Sequence, residues 1–225
     1  MKVLVACEES QMVCIAFREK GHEAYSCDII EPSGGHPEWH IQCDVIPLLN
    51  GNCVFKTLDG AEHSIDGRWD MIIAHPPCTY LTLAGNKWFK PEFEQRFPDR
   101  RERREEAVEF FMKFANADCE RIVIENPVCI MSSRWRKPDQ YIEPFMFGDA
   151  EKKKTGLWLK GVPPLSATSI VDPVIVRCKS GANEPRWNME TLHLPKDERS
   201  RVRSKTFPGI ARAMAEQWAG LSDDE

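Results

Sequence analysis

No stretch of this 225-residue chain approaches the roughly 20 consecutive apolar positions that a membrane-spanning helix needs. The opening MKVLVACEES meets an acidic pair before any signal-peptide pattern can develop. A cytoplasmic setting, away from membranes, is therefore expected. The nine cysteines (7, 14, 27, 43, 53, 78, 119, 129 and 178) include no Cys-x-x-Cys pair, and their spacing suits neither a zinc site nor a disulfide scaffold. Most should be reduced, small core residues. The six histidines (22, 36, 40, 63, 75 and 193) are scattered too, so no metal site is expected. Excess positive charge is also lacking: 35 acidic against 30 basic residues leave a net charge of −5, which argues against a generally cationic nucleic-acid binder. The imbalance is local, however, because RFPDRRERREE and EKKK are dense in Arg and Lys while the terminal LSDDE is acidic. Repeats, low-complexity tracts and linkers are absent, so a single domain over residues 1–225 is expected.

What is present alternates. KVLVACE is a short apolar strand, SQMVCIAFREKGH carries a helical apolar face at Val13, Ala16 and Phe17 and stops at Gly21, and EAYSCDI is a second strand ending at Asp28. A Gly/Pro-rich loop leads to IQCDVIPLL with Asp44, and GRWDMIIAHPPC is the next strand. EEAVEFFMKFANA predicts an amphipathic helix, and ERIVIENP a strand ending at Glu125. EPFMFGD and KTGLWLKGVPPL predict two further strands, an antiparallel pair. PGIARAMAEQWAG predicts a closing helix with Pro208 near its start. The expected fold class is α/β, a Rossmann-like doubly wound, mostly parallel sheet. Ligands of such sheets sit beyond the carboxyl ends of the strands, where this chain places Glu8, Glu9, Asp28, Asp44, Cys78 and Glu125.

Two of those positions carry distinctive chemistry. Cys78 follows Pro76 and Pro77, whose fixed φ holds the thiol on a rigid turn, as a nucleophile requires. Its attack would need the thiolate, hence a positive or donor-rich surrounding. The alternative is one more core cysteine after prolines that end a strand. Glu125 also ends an apolar strand before a proline. An acid beside a thiol suits activation of a pyrimidine: the acid bonds the ring nitrogen and exocyclic amine while sulfur adds to C6, making C5 nucleophilic. The alternative for Glu125 is a loop cap or an ion-pair partner.

HPPCTYL and IENPV, in this order on these strands, resemble the Pro-Cys and Glu-Asn-Val motifs of the DNA (cytosine-5) methyltransferases, and the whole chain resembles the small members encoded by bacteriophages and prophages. The resemblance implies a class I S-adenosylmethionine-dependent methyltransferase fold, Cys78 as covalent nucleophile, Glu125 as the cytosine-anchoring acid, and Asn126 holding the Pro-Cys loop. It implies S-adenosyl-L-methionine as cofactor. Ala6, Cys7, Glu8, Glu9 and Ser10 stand where the family has a glycine-rich cofactor loop, and those glycines are missing here. Asp28 with Ile29 falls where an acid grips the ribose, Asp44 with Val45 where an acid meets the adenine amine, and Pro76 near the methionine part. FGDAEKKKTGLWLKG is similar to a family segment rich in arginine, so Lys152 and Lys154 are implied in the site, as point charges rather than bidentate forks. SKTFPGIARAMAEQW resembles the last motif, which brings Ser204 to the cofactor.

The implied partner is DNA, single- or double-stranded, bound by a monomer or weak dimer in the cytoplasm (of a host cell, if phage-encoded). Residues 79–104 match the loop that closes over a flipped base. Trp88 and Phe89 are there to stack, and Arg100, Arg101, Arg103 and Arg104 to meet phosphates. The alternative is a solvated helix start, since Glu102, Glu105 and Glu106 interleave with those arginines. In place of a full target-recognition domain the chain offers a short insert, 162–203, expected to be irregular, with Arg177, Lys179, Arg186 and Trp187 as a reduced contact loop. Two other readings compete: an amino-methyltransferase, whose motif shares the Pro-Pro but wants an aromatic where Cys78 stands, and an inactive methyltransferase-like module binding nucleic acid or a host protein.

Overall fold

The computed structural model describes residues 1–178 and 181–220. Lys179 of the expected contact loop and the acidic residues 221–225 lie outside the described residues. In chain order the elements are β1 (Lys2–Ala6), α1 (Met12–Glu19), β2 (Glu23–Asp28), β3 (His40–Gln42), β4 (Cys53–Lys56), β5 (Glu62–Ile65), β6 (Met71–Ala74), α2 (Arg100–Ala115), β7 (Ile122–Pro127), α3 (Met131–Arg134), β8 (Gln140–Ile142), β9 (Thr155–Lys160), β10 (Ile175–Arg177), β11 (Asn183–Pro185), α4 (Arg186–Leu192), α5 (Lys196–Ser204) and α6 (Pro208–Trp218).

Seven strands form one sheet in the order β3-β2-β1-β6-β7-β9-β8. The pairs from β3 through β7 are parallel, and β9 runs antiparallel to both its neighbours. The chain is thus α/β with a mostly parallel, Rossmann-like sheet, as the alternating pattern predicts. Strands β1 and β6 are buried on both faces because helices cover both. The pleat sorts their side chains: Val3, Val5, Met71 and Ile73 share a core with Phe17, Met214 and Trp218, while Leu4, Ile72 and Ile124 share one with Phe111, Phe114 and Trp158. No described helix is long and apolar enough to cross a membrane.

Three expectations need correction. The strand expected at 143–149 lies just upstream as β8, and Pro144–Met146 forms a 3-10 turn, since proline at its first position has no N–H for the sheet. The predicted antiparallel pairing with β9 holds for this shifted strand. The helix expected from Glu105 starts at Arg100, so the arginine cluster is helical. Among the described residues, the interval 162–203 is irregular over 162–174, as expected, but not beyond. It contains the β10–β11 hairpin and helices α4 and α5, with α4 fixed by the buried carboxylate of Glu151, which accepts from the Arg186 guanidinium and from Trp187 N at 3.2 Å.

The order of strands reverses between β1 and β6, β2 and β3 lying to one side and β7 to the other. Such a switch point is where sheets of this kind receive ligands. The last helix is brought to the sheet by a close backbone approach. Gly209 N donates to Asp149 Oδ2 at 2.8 Å, and a Cβ at Gly209 would fall 2.0 Å from the Phe147 carbonyl oxygen, so only glycine fits.

Candidate active site

The turn after β6 is held from two sides. The Cys78 carbonyl accepts from Leu81 N at 3.0 Å and Thr82 N at 2.9 Å, which winds the chain tightly behind the thiol. From β7, Asn126 Nδ2 donates to the Pro76 carbonyl at 2.7 Å in a buried bond. The loops beyond both strands then join: Ile130 N donates to Leu81 O at 3.0 Å, and Thr82 bridges to Cys129. The half-buried Cys78 thiol is therefore a fixed object. Burial pushes its pKa up, the charge of Glu125 pushes it further, and Lys153 opposes both. At rest the group is a thiol rather than a thiolate.

Glu125 is buried on β7 opposite Leu157 of β9. Its Oε2 lies 3.0 Å from Nδ1 of His75, the residue that opens the Pro-Pro-Cys turn. Burial alone would raise this carboxyl, but the hydrogen bond from His75 and the charge of Lys153 outweigh it, with Thr155 adding a further bond, and the net direction is down. Glu125 is thus an ionised acceptor in the floor of the site.

Lys153 is the lysine of EKKK that reaches this floor. Its Nζ donates to the carbonyls of Arg203 at 2.9 Å and Lys205 at 3.5 Å, tying the segment before α6 to the site. Lys152 and Lys154 do not join it. Both are exposed, and Lys154 Nζ sits 4.5 Å from the Tyr141 ring centroid. Extended backbone alternates its side chains, so Lys153 shares an orientation with the buried Glu151 and Thr155 while its neighbours point away. The sequence singles out neither His75 nor, among the three lysines, Lys153: β9 is buried at each position from Thr155 to Trp158, so its pattern does not separate Lys153 from Lys154.

On the other side of the switch point the chain after β1 takes two left-handed residues, Cys7 at φ 58° and Gln11 at φ 59°, and turns without glycine. Between them Glu8 folds back onto α1, its carboxylate accepting from Val13 N at 2.6 Å and Cys14 N at 3.2 Å. Burial raises Glu8 to about 7 despite these bonds and the nearby His75. The helix N-terminus, where dinucleotide-binding Rossmann folds receive phosphate, is therefore filled by the protein's own acid. Glu9 differs: it is 5% exposed, and neither carboxylate oxygen has a protein partner among the described residues. Ser10 is buried beside it, and Gln11 Nε2 donates to His36 O at 2.8 Å, drawing the loop after β2 over this corner.

Asp28 and Asp44 end β2 and follow β3, and both lie near enough to Cys7 that, after burial, their charges add to the rise of its thiol. Asp28 itself is raised by burial. Ile29 is 72% exposed, whereas Val45 faces the core. Ala6 ends β1 in the core, and Pro76 is buried behind Cys78. Ser204 is not brought in: it is exposed, and its Oγ donates to Arg201 O within α5. The acids Glu9, Asp28 and Asp44 form an acceptor-rich corner, which suits a ligand bearing hydroxyls, an amine or a positive charge and disfavours phosphate. No group of three or more metal-ligating side chains occurs among the described residues.

The loop between Cys78 and α2 is packed on itself. Arg104 lies over the Phe89 ring at 3.3 Å and donates to Tyr80 O at 2.9 Å and Asn86 Oδ1 at 2.8 Å. Arg100 sits over Phe89 at 4.8 Å and Tyr80 at 5.2 Å. Trp88 packs edge-on against Phe93 and Phe97. Four residues expected to meet nucleic acid (Trp88, Phe89, Arg100 and Arg104) thus pack within the loop itself, because guanidinium planes stack on rings as readily as they meet phosphates. Arg101 pairs with Glu94 at 3.7 Å on the surface, and Arg103 is exposed. Trp187 lies beside Lys153, with its Nζ 5.7 Å from the ring centroid.

The chain matches no protein-family model, and no curated protein matches it at a significant level.

Proposed function

We propose that the protein transfers a methyl group to C5 of cytosine in DNA through a covalent adduct at Cys78. One observation carries this reading: a rigidly held thiol and an ionised, buried carboxylate stand at neighbouring strand ends, joined by the Asn126–Pro76 hydrogen bond. Glu125 is placed to accept from the exocyclic amine of a cytosine, and sulfur then adds to C6. Lys153 favours the thiolate that this step needs. The sheet's order, which reverses between β1 and β6, is consistent with the class I methyltransferase fold. When bound, S-adenosyl-L-methionine supplies an electrophilic methyl group. Asp28, Asp44 and the unpartnered Glu9 would hold its hydroxyl, amine and cationic groups. After methylation a base removes the C5 proton and Cys78 leaves.

The test is transfer of tritiated methyl from S-adenosyl-L-methionine to single- and double-stranded DNA by wild type and Cys78→Ala. Label at C5 that disappears in the variant supports the covalent route. Label that survives points to an amino-methyltransferase. No label, with no rise in melting temperature on adding cofactor, points to a non-catalytic binding module, the reading favoured by the self-capped Glu8.

A further inference from the structure

His75 stands at the junction of both halves of the site. Its backbone N–H donates to the Ala6 carbonyl at 2.9 Å, so the ring is anchored between the ends of β1 and β7. Its side chain is only 6% exposed, and Nδ1 is committed to Glu125. Nε2 is buried and has no protein partner among the described residues. A histidine that merely filled space would satisfy both nitrogens or expose one. Four further groups bear on the pair: Glu8 from the segment after β1, Cys78 from the same turn, Lys153 from the segment before β9, and Thr155 of β9.

The chemistry proposed for Cys78 leaves a proton unaccounted for. When sulfur adds to C6, negative charge develops on N3 of the ring, and an ionised Glu125 has no proton to give it. Resting on the proposed function, we infer that His75 is a positioning residue that supplies, through Glu125, the proton that cytosine N3 takes up as Cys78 adds to C6.

The step balances. Cys78, a thiol at rest, first loses its proton to solvent, and the thiolate then forms the Sγ–C6 bond. The C5=C6 π pair moves to C4–C5, and the C4=N3 π pair becomes the N3–H bond. Nδ1 of the His75 imidazolium gives its proton to the Glu125 carboxylate, which passes it on to N3 and is a carboxylate again, and a neutral ring remains with its hydrogen on Nε2. Collapse of the adduct reverses the transfers.

The experiment follows tritium release from DNA labelled at cytosine C5, in the presence of S-adenosyl-L-methionine, from pH 5.5 to 9, for wild type, His75→Gln and Cys78→Ala. The expected result for His75→Gln is a kcat lower by on the order of a hundredfold, little change in KM for DNA, and loss of the alkaline limb of the wild-type profile. A His75→Gln enzyme with wild-type kcat and the same limb overturns the inference. Wild type that releases no more tritium than Cys78→Ala fails the proposed function and takes the inference with it, an outcome distinct from the preceding one. If His75→Gln does not fold, nitrogen NMR of the His75 ring in wild type and Glu125→Gln decides. Loss of the hydrogen-bonded Nδ1 signature on removing Glu125 supports the pair, and no change overturns it.

Discussion

Asn126 reaches from the end of β7 to the Pro76 carbonyl at 2.7 Å, so the strand that carries Glu125 also fixes the turn that carries Cys78. The bond is buried, and its loss leaves an unpaired carbonyl behind the thiol. Asn126→Ala is therefore expected to cost about 1–3 kcal/mol of stability by denaturant unfolding. Methyl transfer should fall further than the unfolding curve accounts for. Activity that tracks stability alone would refute a positioning role for Asn126.

Glu8 carries a pH signature. Its pKa in the folded chain is about 7 against an ordinary 4.5, with burial as the main cause. The folded state then binds its proton more tightly than the unfolded state. Its stabilising contribution is complete below about pH 4.5 and is lost as the pH rises through about 7. The loss is on the order of 3 kcal/mol at most. Urea midpoints taken at several pH values should decline for wild type across this window and flatten in Glu8→Gln. Parallel curves would show that Glu8 does not titrate there.

The three lysines of EKKK should separate cleanly. Lys153→Met removes the cation that opposes the rise of Cys78 and that holds Glu125 down. Iodoacetamide labelling of Cys78, read by mass spectrometry, should slow by on the order of tenfold. Lys152→Met and Lys154→Met, both exposed, should stay within about twofold on the same reasoning. Equal effects at all three positions would mean that net charge, not position, is what matters.

Among the nine thiols, Cys43 should react first with a disulfide reagent at neutral pH. It is exposed, and the Cys27 thiol facing it at 4.0 Å lowers its pKa. The fast phase should vanish in Cys43→Ser and persist in Cys78→Ala. A fast phase lost in Cys78→Ala would contradict the raised pKa assigned to Cys78.

Arg103 and Arg104 are neighbours with opposite expectations. Arg104→Met loses two hydrogen bonds and a ring contact, so it should destabilise by about 1–3 kcal/mol and loosen the loop to protease. Arg103→Met should leave stability within about 0.5 kcal/mol. If Arg103 meets a phosphate, the salt slope of DNA binding should fall by about 1. A destabilised Arg103 variant and a stable Arg104 variant would invert the assignment.

Local chemistry made part of this protein readable in one dimension. An apolar run ending in Pro-Pro-Cys, another ending in Glu-Asn-Pro, and acids after the first strands announce a parallel sheet with reactive groups at its carboxyl edge. Strand ends, proline turns and helix periodicity depend on residues close in sequence, so the chain itself set the sheet and placed Cys78, Glu125, Asn126, Asp28 and Asp44 at that edge. Tertiary structure decided the rest. Lys153 rather than Lys152 or Lys154 enters the site because of the orientation that leads into β9. Arg100, Arg104 and Trp88 pack the loop because Phe89, Phe93 and Phe97 stand within reach. His75 meets Glu125, fifty positions away, only because β6 and β7 are neighbours. Which charged group faces which depends on strand register and on the competition between burial and pairing, and both exist only once distant segments have come together.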